Sequence, residues 1–306
     1  MRAGLFVVVW SSAFIAGIVG VGAGSPLLLT FVRFTVAGLL LAGFAVATRT
    51  KWPRGRALGH VVVAGVLVQA VQFSAFYTAM SLHMPAAVVA LVQGLNPVVI
   101  ALVAGRWLGE RVTPRQWVGF GLGTLGVGLA VADRLSFSVA GIVLSLVGLL
   151  ASSLGTVYQK RFAGDMDVRT GTATQFLVSA PLVGLASVLF ESPHVSDWRS
   201  FGAAATWLVL VNSIGAFLLL NTMLKNAPAS QVSTLFFLTP AVTAVMAWAV
   251  VGQTLDPMAV AGLAVGGVGV LLASGIRPGA FRRGSAAASR ESSPAHTSPG
   301  VPAHRT

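Results

Sequence analysis

Apolar residues run through this chain in long blocks, separated by short polar clusters. Taken in order, the blocks cover approximately 4–22, 27–47, 59–80, 85–105, 115–132, 138–158, 170–190, 203–223, 228–250 and 257–275. Each holds about 18–23 residues, enough at about 1.5 Å per residue to cross a hydrocarbon layer about 30 Å thick. Connections as short as Val21–Pro26 and His83–Pro85 turn neighbouring helices into antiparallel hairpins. The pattern predicts an all-α membrane protein with ten transmembrane helices.

The blocks are not independent. The stretch from Pro85 to Val127, PAAVVALVQGLNPVVIALVAGRWLGERVTPRQWVGFGLGTLGV, returns 143 residues later without a gap as PASQVSTLFFLTPAVTAVMAWAVVGQTLDPMAVAGLAVGGVGV. Pro85, Pro97 and Pro114 fall on Pro228, Pro240 and Pro257, while Gly109, Gly119, Gly123 and Gly126 fall on Gly252, Gly262, Gly266 and Gly269. Punctuating residues held at one offset mark a duplication, with five blocks to each copy. An odd number of spans sends the second copy into the membrane in the opposite direction, so the chain reads as two inverted five-helix repeats. The expected divisions are 3–132 for the first repeat, 138–276 for the second and 277–306 for a tail.

Composition supports this pattern, and charge orients it. Hydrophobic residues make up 55% of the chain, charged residues only 9%, and mean hydropathy is +0.84. A soluble chain of 306 residues could not bury that much apolar surface behind so few charges. A net charge of +12 would suggest nucleic acid in a soluble protein; here the basic residues sit between apolar blocks and in the tail, so no nucleic-acid partner is expected. With the N-terminus cytoplasmic, 17 of the 20 lysines and arginines fall in cytoplasmic segments, among them Arg49, Lys51, Arg111, Arg115, Lys160, Arg169 and Lys225. Arg134 and Arg199 fall outside and Arg33 lies within a span, a bias that predicts both termini cytoplasmic. Arg111 and Arg115 become Thr254 and Met258 in the second copy, the loss of charge expected of a loop on the opposite face. The first block lacks a cleavage site and is long enough to span. The Pro, Ser, Ala and Gly of the tail predict disorder, with its first arginines drawn to anionic headgroups and the bilayer as partner. Cysteine is absent, which excludes disulfides and thiolate metal sites.

These features carry a resemblance. WSSAFIAG at Trp10–Gly17, FVRF at Phe31–Phe34, AFYTAM at Ala75–Met80, LNPV around Pro97, GERVTPRQWVG at Gly109–Gly119, FFLTPAV around Pro240 and VVGQTLDPMAVAG at Val250–Gly262 resemble the drug/metabolite transporter superfamily, in particular its EamA-domain carriers. The likeness covers roughly residues 3–276. It implies a multi-pass carrier of the bacterial inner membrane that exports a small metabolite, an amino acid or related compound, by alternating access. It does not identify the substrate.

Polar side chains inside hydrocarbon need partners, water or a ligand, so they are the candidate site. Arg33 lies about 9 Å into its helix and reads either as a cation facing a substrate anion or as a structural arginine reaching for headgroups and carbonyls. Gln175 takes its place in the second repeat. Gln69, Gln72 and Phe76 follow helical spacing, with Tyr77 beside them; Gln93 and Asn96 precede Pro97, and Asn212, Asn221, Gln231, Thr234 and Thr239 are the polar residues of the matching helices. Pro97 and Pro240 each free a carbonyl one turn earlier, so two loosened helices at equivalent places point to a midplane site for a small-molecule substrate. The alternative is hydrogen bonding between packed spans.

Other chemistry finds little support. Gly121, Gly123 and Gly126 spell GxGxxG without the strand and acidic residue that a dinucleotide needs, and there is no P-loop, so no cofactor is expected. Gly119/Gly123 and Gly262/Gly266 are GxxxG faces that would pack within the fold or join a homodimer. No carboxylate lies mid-span, and no metal-ligand spacing occurs. The leading expectation is a secondary carrier and no enzyme. The alternatives are a membrane-embedded enzyme on a lipid-linked substrate, which lacks its acid, histidine or serine cluster, and a non-transporting scaffold or sensor.

Overall fold

A computed structural model describes residues 2–84, 86–131, 138–252 and 257–273. Pro85, the loop holding Arg134, the Gln253 and Thr254 positions, Asp256 and the tail fall outside the described residues. Every regular element among the described residues is a helix, and the β-type pairing found there is the isolated bridge between Gly24 and Val195. The helices are α1 (Arg2–Ala23), α2 (Pro26–Ala47), α3 (Gly55–Ser81), α4 (Ala86–Gly94 and Asn96–Trp107), α5 (Pro114–Val131), α6 (Val139–Phe162), α7 (Val168–Phe190), α8 (Trp198–Asn226), α9 (Ala229–Ser233, Thr234–Leu238 and Thr239–Val251) and α10 (Pro257–Ala273). Eight of them, all but α5 and α10, are long and apolar enough to cross a membrane by length and composition.

Local chemistry sets the ends. Pro26, Pro114 and Pro257 open α2, α5 and α10, where a missing N–H costs nothing. Asp167 caps α7 and Asp197 caps α8 through backbone amides, and Ser138 caps α6. Gly109 and Gly252, beyond the ends of α4 and α9, have φ of 67° and 68°, the left-handed conformation that glycine takes without strain.

The interiors are less regular, and the irregularities come in pairs. α3 is π-helical over Val66–Val71 and α8 over Leu208–Ala216. α4 breaks at Leu95 before Pro97, and α9 tightens to a 3-10 helix over Thr234–Leu238 before Pro240. Proline lacks a donor and crowds the preceding turn, so both breaks have the same cause.

Hydrogen bonds sort the connections between helices into two ends. At one, the Ser25 amide donates to the His194 carbonyl at 3.0 Å, and Glu191 accepts the Leu27 amide at 3.1 and 3.2 Å. Partial burial raises the Glu191 pKa, while the bonds from Leu27 and Ser187 act the other way. At the other end Thr170 donates to the Lys51 carbonyl at 2.9 Å, and the Lys160 ammonium donates to the carbonyls of Leu224 and Ala227. Glu110 there accepts the amides of Ala229 at 3.0 Å and Ser230 at 3.1 Å. This is the grouping of a bundle whose helices alternate up and down.

Two helix pairs meet closely through glycine. A methyl built on Gly126 of α5 would lie 2.5 Å from the Gly266 nitrogen and 2.6 Å from the Gly262 carbonyl of α10. One built on Gly269 would lie 2.6 Å from the Gly123 nitrogen and 2.7 Å from the Gly119 carbonyl. Later residues of one helix meet earlier residues of the other, so the pair is antiparallel, and the GxxxG faces pack within the chain. Likewise Gly38 of α2 faces Leu177 of α7, while Gly184 of α7 faces Phe31 of α2. The core between these pairs is aromatic, with Trp10 against Phe217 and Phe236 at centroid distances of 5.2 and 5.1 Å.

Candidate functional site

Among the described residues the largest fully buried side chain is Arg33, a cation on an otherwise uncharged α2. Its Nε donates to the Ser213 hydroxyl of α8 at 2.7 Å and its Nη1 to the Tyr77 hydroxyl of α3 at 2.8 Å. The guanidinium carbon stands 4.2 Å from the centre of the Phe73 ring, within cation–π range. Nη2 has no partner. Among the described residues no carboxylate reaches this group: both of its polar partners are neutral hydroxyls.

Around Arg33 lies a small cavity of about 10 Å³, room for about one water molecule, lined by Trp10, Ala13, Phe14, Arg33, Phe73, Phe76, Tyr77, Gln93, Asn212 and Phe217; a larger ligand would need these helices to part. The cavity is narrow, and aromatic rings form most of its wall. Two amides complete its polar edge. The Gln93 carbonyl oxygen accepts the Trp10 indole N–H at 3.3 Å, which leaves Gln93 Nε2 as an unpaired donor. Asn212 Nδ2 donates to the Val9 carbonyl and, at 3.4 Å, to Ser12, which leaves Asn212 Oδ1 as an unpaired acceptor. Indole is only a donor and a backbone carbonyl only an acceptor, so these partners settle which way each amide points. Asn212 and Ser213 both sit on the π segment of α8, where the widened turn changes which side chains face inward.

Four of the expected site residues, Arg33, Tyr77, Gln93 and Asn212, therefore meet at one cavity. The others lie elsewhere. Gln69 and Gln72 are buried further along α3 and keep unpaired amide atoms: both polar atoms of Gln69 and the nitrogen of Gln72. Their helical spacing with Phe76 assumes an unbroken α-helix, and the π segment Val66–Val71 interrupts it. Asn96 accepts a bond from Ser153 of α6. Thr234 donates to its own helix at Gln231, 2.8 Å away; Thr239 is buried with its hydroxyl unpaired, while its carbonyl accepts Ser11 at 3.3 Å. Pro97 and Pro240 stand at the start of the last pieces of α4 and α9.

Gln175 belongs to a separate polar chain. It donates to Gln159 at 2.8 Å, Gln159 to Asn221 at 2.8 Å, and Asn221 to Thr172 at 2.7 Å. Gln175 packs on Gly65, twelve residues before Tyr77 on α3, or about 18 Å along the helix. The counterparts Arg33 and Gln175 thus stand at different depths, and the cationic site has no twin. Sequence reasoning missed Ser213, Phe14, Phe73 and Phe217, because a serine or phenylalanine among apolar neighbours carries no signal of its own. Gln159, near the end of α6, is likewise buried between two amide partners.

Comparison with known proteins adds family to geometry. Residues 3–132 and 139–275 each match the EamA-like transporter family. The chain is 26% identical to the uncharacterized inner membrane transporter YedA of Escherichia coli strain K12, over 81% of each chain. It is 28% identical to a protein of Streptantibioticus cattleyicolor named "Probable terminal-alkyne amino-acid exporter", over 88% of this chain and 90% of that one. A solved crystal structure shares the fold at a TM-score of 0.72 and 23% identity, covering 89% of this chain and 95% of its own.

Proposed function

Since this chain belongs to the EamA-like transporter family of membrane proteins, we propose that it is a secondary carrier exporting a small carboxylate metabolite, an amino acid or a related acid, by alternating access. The observation that carries this reading is the unpaired Nη2 of a fully buried arginine facing an aromatic cavity. A planar guanidinium with a free prong suits a carboxylate oxygen. Gln93 Nε2 offers a second donor, Asn212 Oδ1 an acceptor for a substituent, and the rings a surface for an apolar body. The Streptantibioticus relative is named as an exporter of an amino acid, itself a carboxylate.

The architecture we propose is ten membrane-spanning helices in two inverted five-helix repeats, 3–132 and 138–276. The antiparallel meeting of α5 with α10 and of α2 with α7 supports it, since inversion turns equivalent helices against each other. Paired π segments and paired proline breaks support it too. In this reading the end that gathers Lys51, Lys160 and Lys225 is cytoplasmic. Reporter fusions after Arg56, Arg115 and Arg169 should then score cytoplasmic, and those after Gly24, Arg134 and Arg199 external. Fusions at Arg115 and Arg134 reporting the same side would overturn the five-plus-five arrangement.

Transport itself is tested in two stages. Strains lacking and overproducing the protein are challenged with a panel of amino acids and small organic acids at toxic levels. Compounds tolerated better on overproduction are then loaded into proteoliposomes holding the purified chain. Protein-dependent efflux is the expected result. Folded protein without flux of any such compound would favour the scaffold reading.

A further inference from the structure

We propose that the Arg33 cavity takes a substrate of net negative charge, an apolar or aromatic carboxylate with at most a neutral hydrogen-bonding substituent, and rejects the zwitterionic amino acid of the same skeleton. The proposal rests on the reading of this cavity as the transport site and narrows its substrate class.

Charge balance carries it. A guanidinium stays protonated even when buried, so the cavity holds a full positive charge whatever else it contains. The described carboxylates are all committed elsewhere. Glu110 caps α9, Asp167 caps α7 and Asp197 caps α8, while Asp165 lies in the connection after α6, at the end of the bundle that gathers Lys51, Lys160 and Lys225. Glu191 binds the Leu27 amide, six residues before Arg33 on α2 and about 9 Å away along the axis. No acid among the described residues stands ready to hold a substrate ammonium.

A monocarboxylate on Nη2 and Gln93 Nε2 would cancel the arginine's charge. An amino acid would bring the same carboxylate and also an ammonium, held by its own skeleton within a few ångströms of the guanidinium. The site would keep one uncompensated charge in a buried enclosure walled mostly by aromatic rings, the arrangement that burial penalises most. The acceptor waiting for the substituent, Asn212 Oδ1, is neutral and matches a hydroxyl as well as an amine. Asn212 Oδ1 could accept from an ammonium but carries no charge to cancel it, and ring faces would welcome one only weakly. Phe73, the ring nearest Arg33, already carries the guanidinium at 4.2 Å.

The test compares molecules that differ at one atom. L-3-phenyllactate and L-phenylalanine share a skeleton, as do L-2-hydroxyisocaproate and L-leucine, and at about pH 7 each hydroxy acid is an anion and each amino acid a zwitterion. Binding of all four to the purified full-length chain is measured by titration calorimetry. In at least one pair the hydroxy acid should bind about tenfold or more tightly than its amino acid. In Arg33→Gln, which removes the charge that makes the distinction, the preference should vanish. Equal or tighter binding of the amino acids would overturn the proposal and leave the carrier reading standing. Failure of all four to bind folded protein would overturn both.

Discussion

Replacing Arg33 by glutamine should nearly abolish transport while leaving the yield of folded protein close to that of the parent. Losing the charged partner of a bound anion costs about 2 kcal/mol or more, or about 30-fold or more in flux at subsaturating substrate. The fold pays less. Glutamine gives up the ties to Tyr77 and Ser213, which join α2 to α3 and α8, but it also removes a buried charge without a counter-ion, and the two effects oppose each other. Arg33→Lys separates this from simpler roles. Lysine keeps the charge and loses the planar fork that serves Ser213, Tyr77 and a third partner together, so transport should fall while folded protein remains. An arginine that merely reached for headgroups would tolerate lysine, and a purely structural one would lower folded protein with either change. Flux and detergent-stable protein, measured side by side for both variants, distinguish the three. Normal flux in Arg33→Gln would end the anchor reading.

The second large effect is on stability. Gly126→Leu should sharply lower the amount of detergent-stable protein, and Gly128→Leu should not. At Gly126 even a methyl would meet backbone atoms of Gly262 and Gly266 at 2.5–2.6 Å, where no rotamer change can relieve the clash. Separating α5 from α10 is the remaining way out, and overpacking of this kind costs about 1–3 kcal/mol or more. Gly128 faces open space, with nothing within 4 Å of an added methyl. The pair therefore controls for helix propensity and for added hydrophobic bulk. Equal thermal stability of the two variants in detergent would mean that the α5–α10 contact contributes little.

Much of the helical fold was legible because bilayer-length apolar blocks need no tertiary information. The helices α1, α2 and α7 begin and end within a few residues of the blocks read from sequence, and Pro97 and Pro240 mark the breaks inside α4 and α9. The π segments were not legible: Val66–Val71 and Leu208–Ala216 are as apolar as their surroundings, and no residue type announces a widened turn. At the site, Arg33 stood out as a lone charge, and Tyr77, Gln93 and Asn212 as rare polar residues in apolar helices. Their convergence, and the separation of Gln175 from them, depend on contacts between α1, α2, α3, α4 and α8 that one-dimensional spacing does not encode. Ser213 shows the limit most clearly. It completes the arginine's cradle, yet in sequence it is one serine among many that bond to their own helices.

The paired π segments also carry a history. A π turn holds one residue more than the α-helical ladder around it can use, and an insertion into an existing helix leaves such a turn behind. Here the extra residue occurs in both halves, at Val66–Val71 and at Leu208–Ala216, places that correspond under the same shift of 142 residues that sets Arg33 against Gln175. One insertion in a single ancestral half explains both; two independent ones at matching positions would be a coincidence. The wide turn is then older than the duplication. The difference between Arg33 and Gln175 belongs to the later divergence of the two copies.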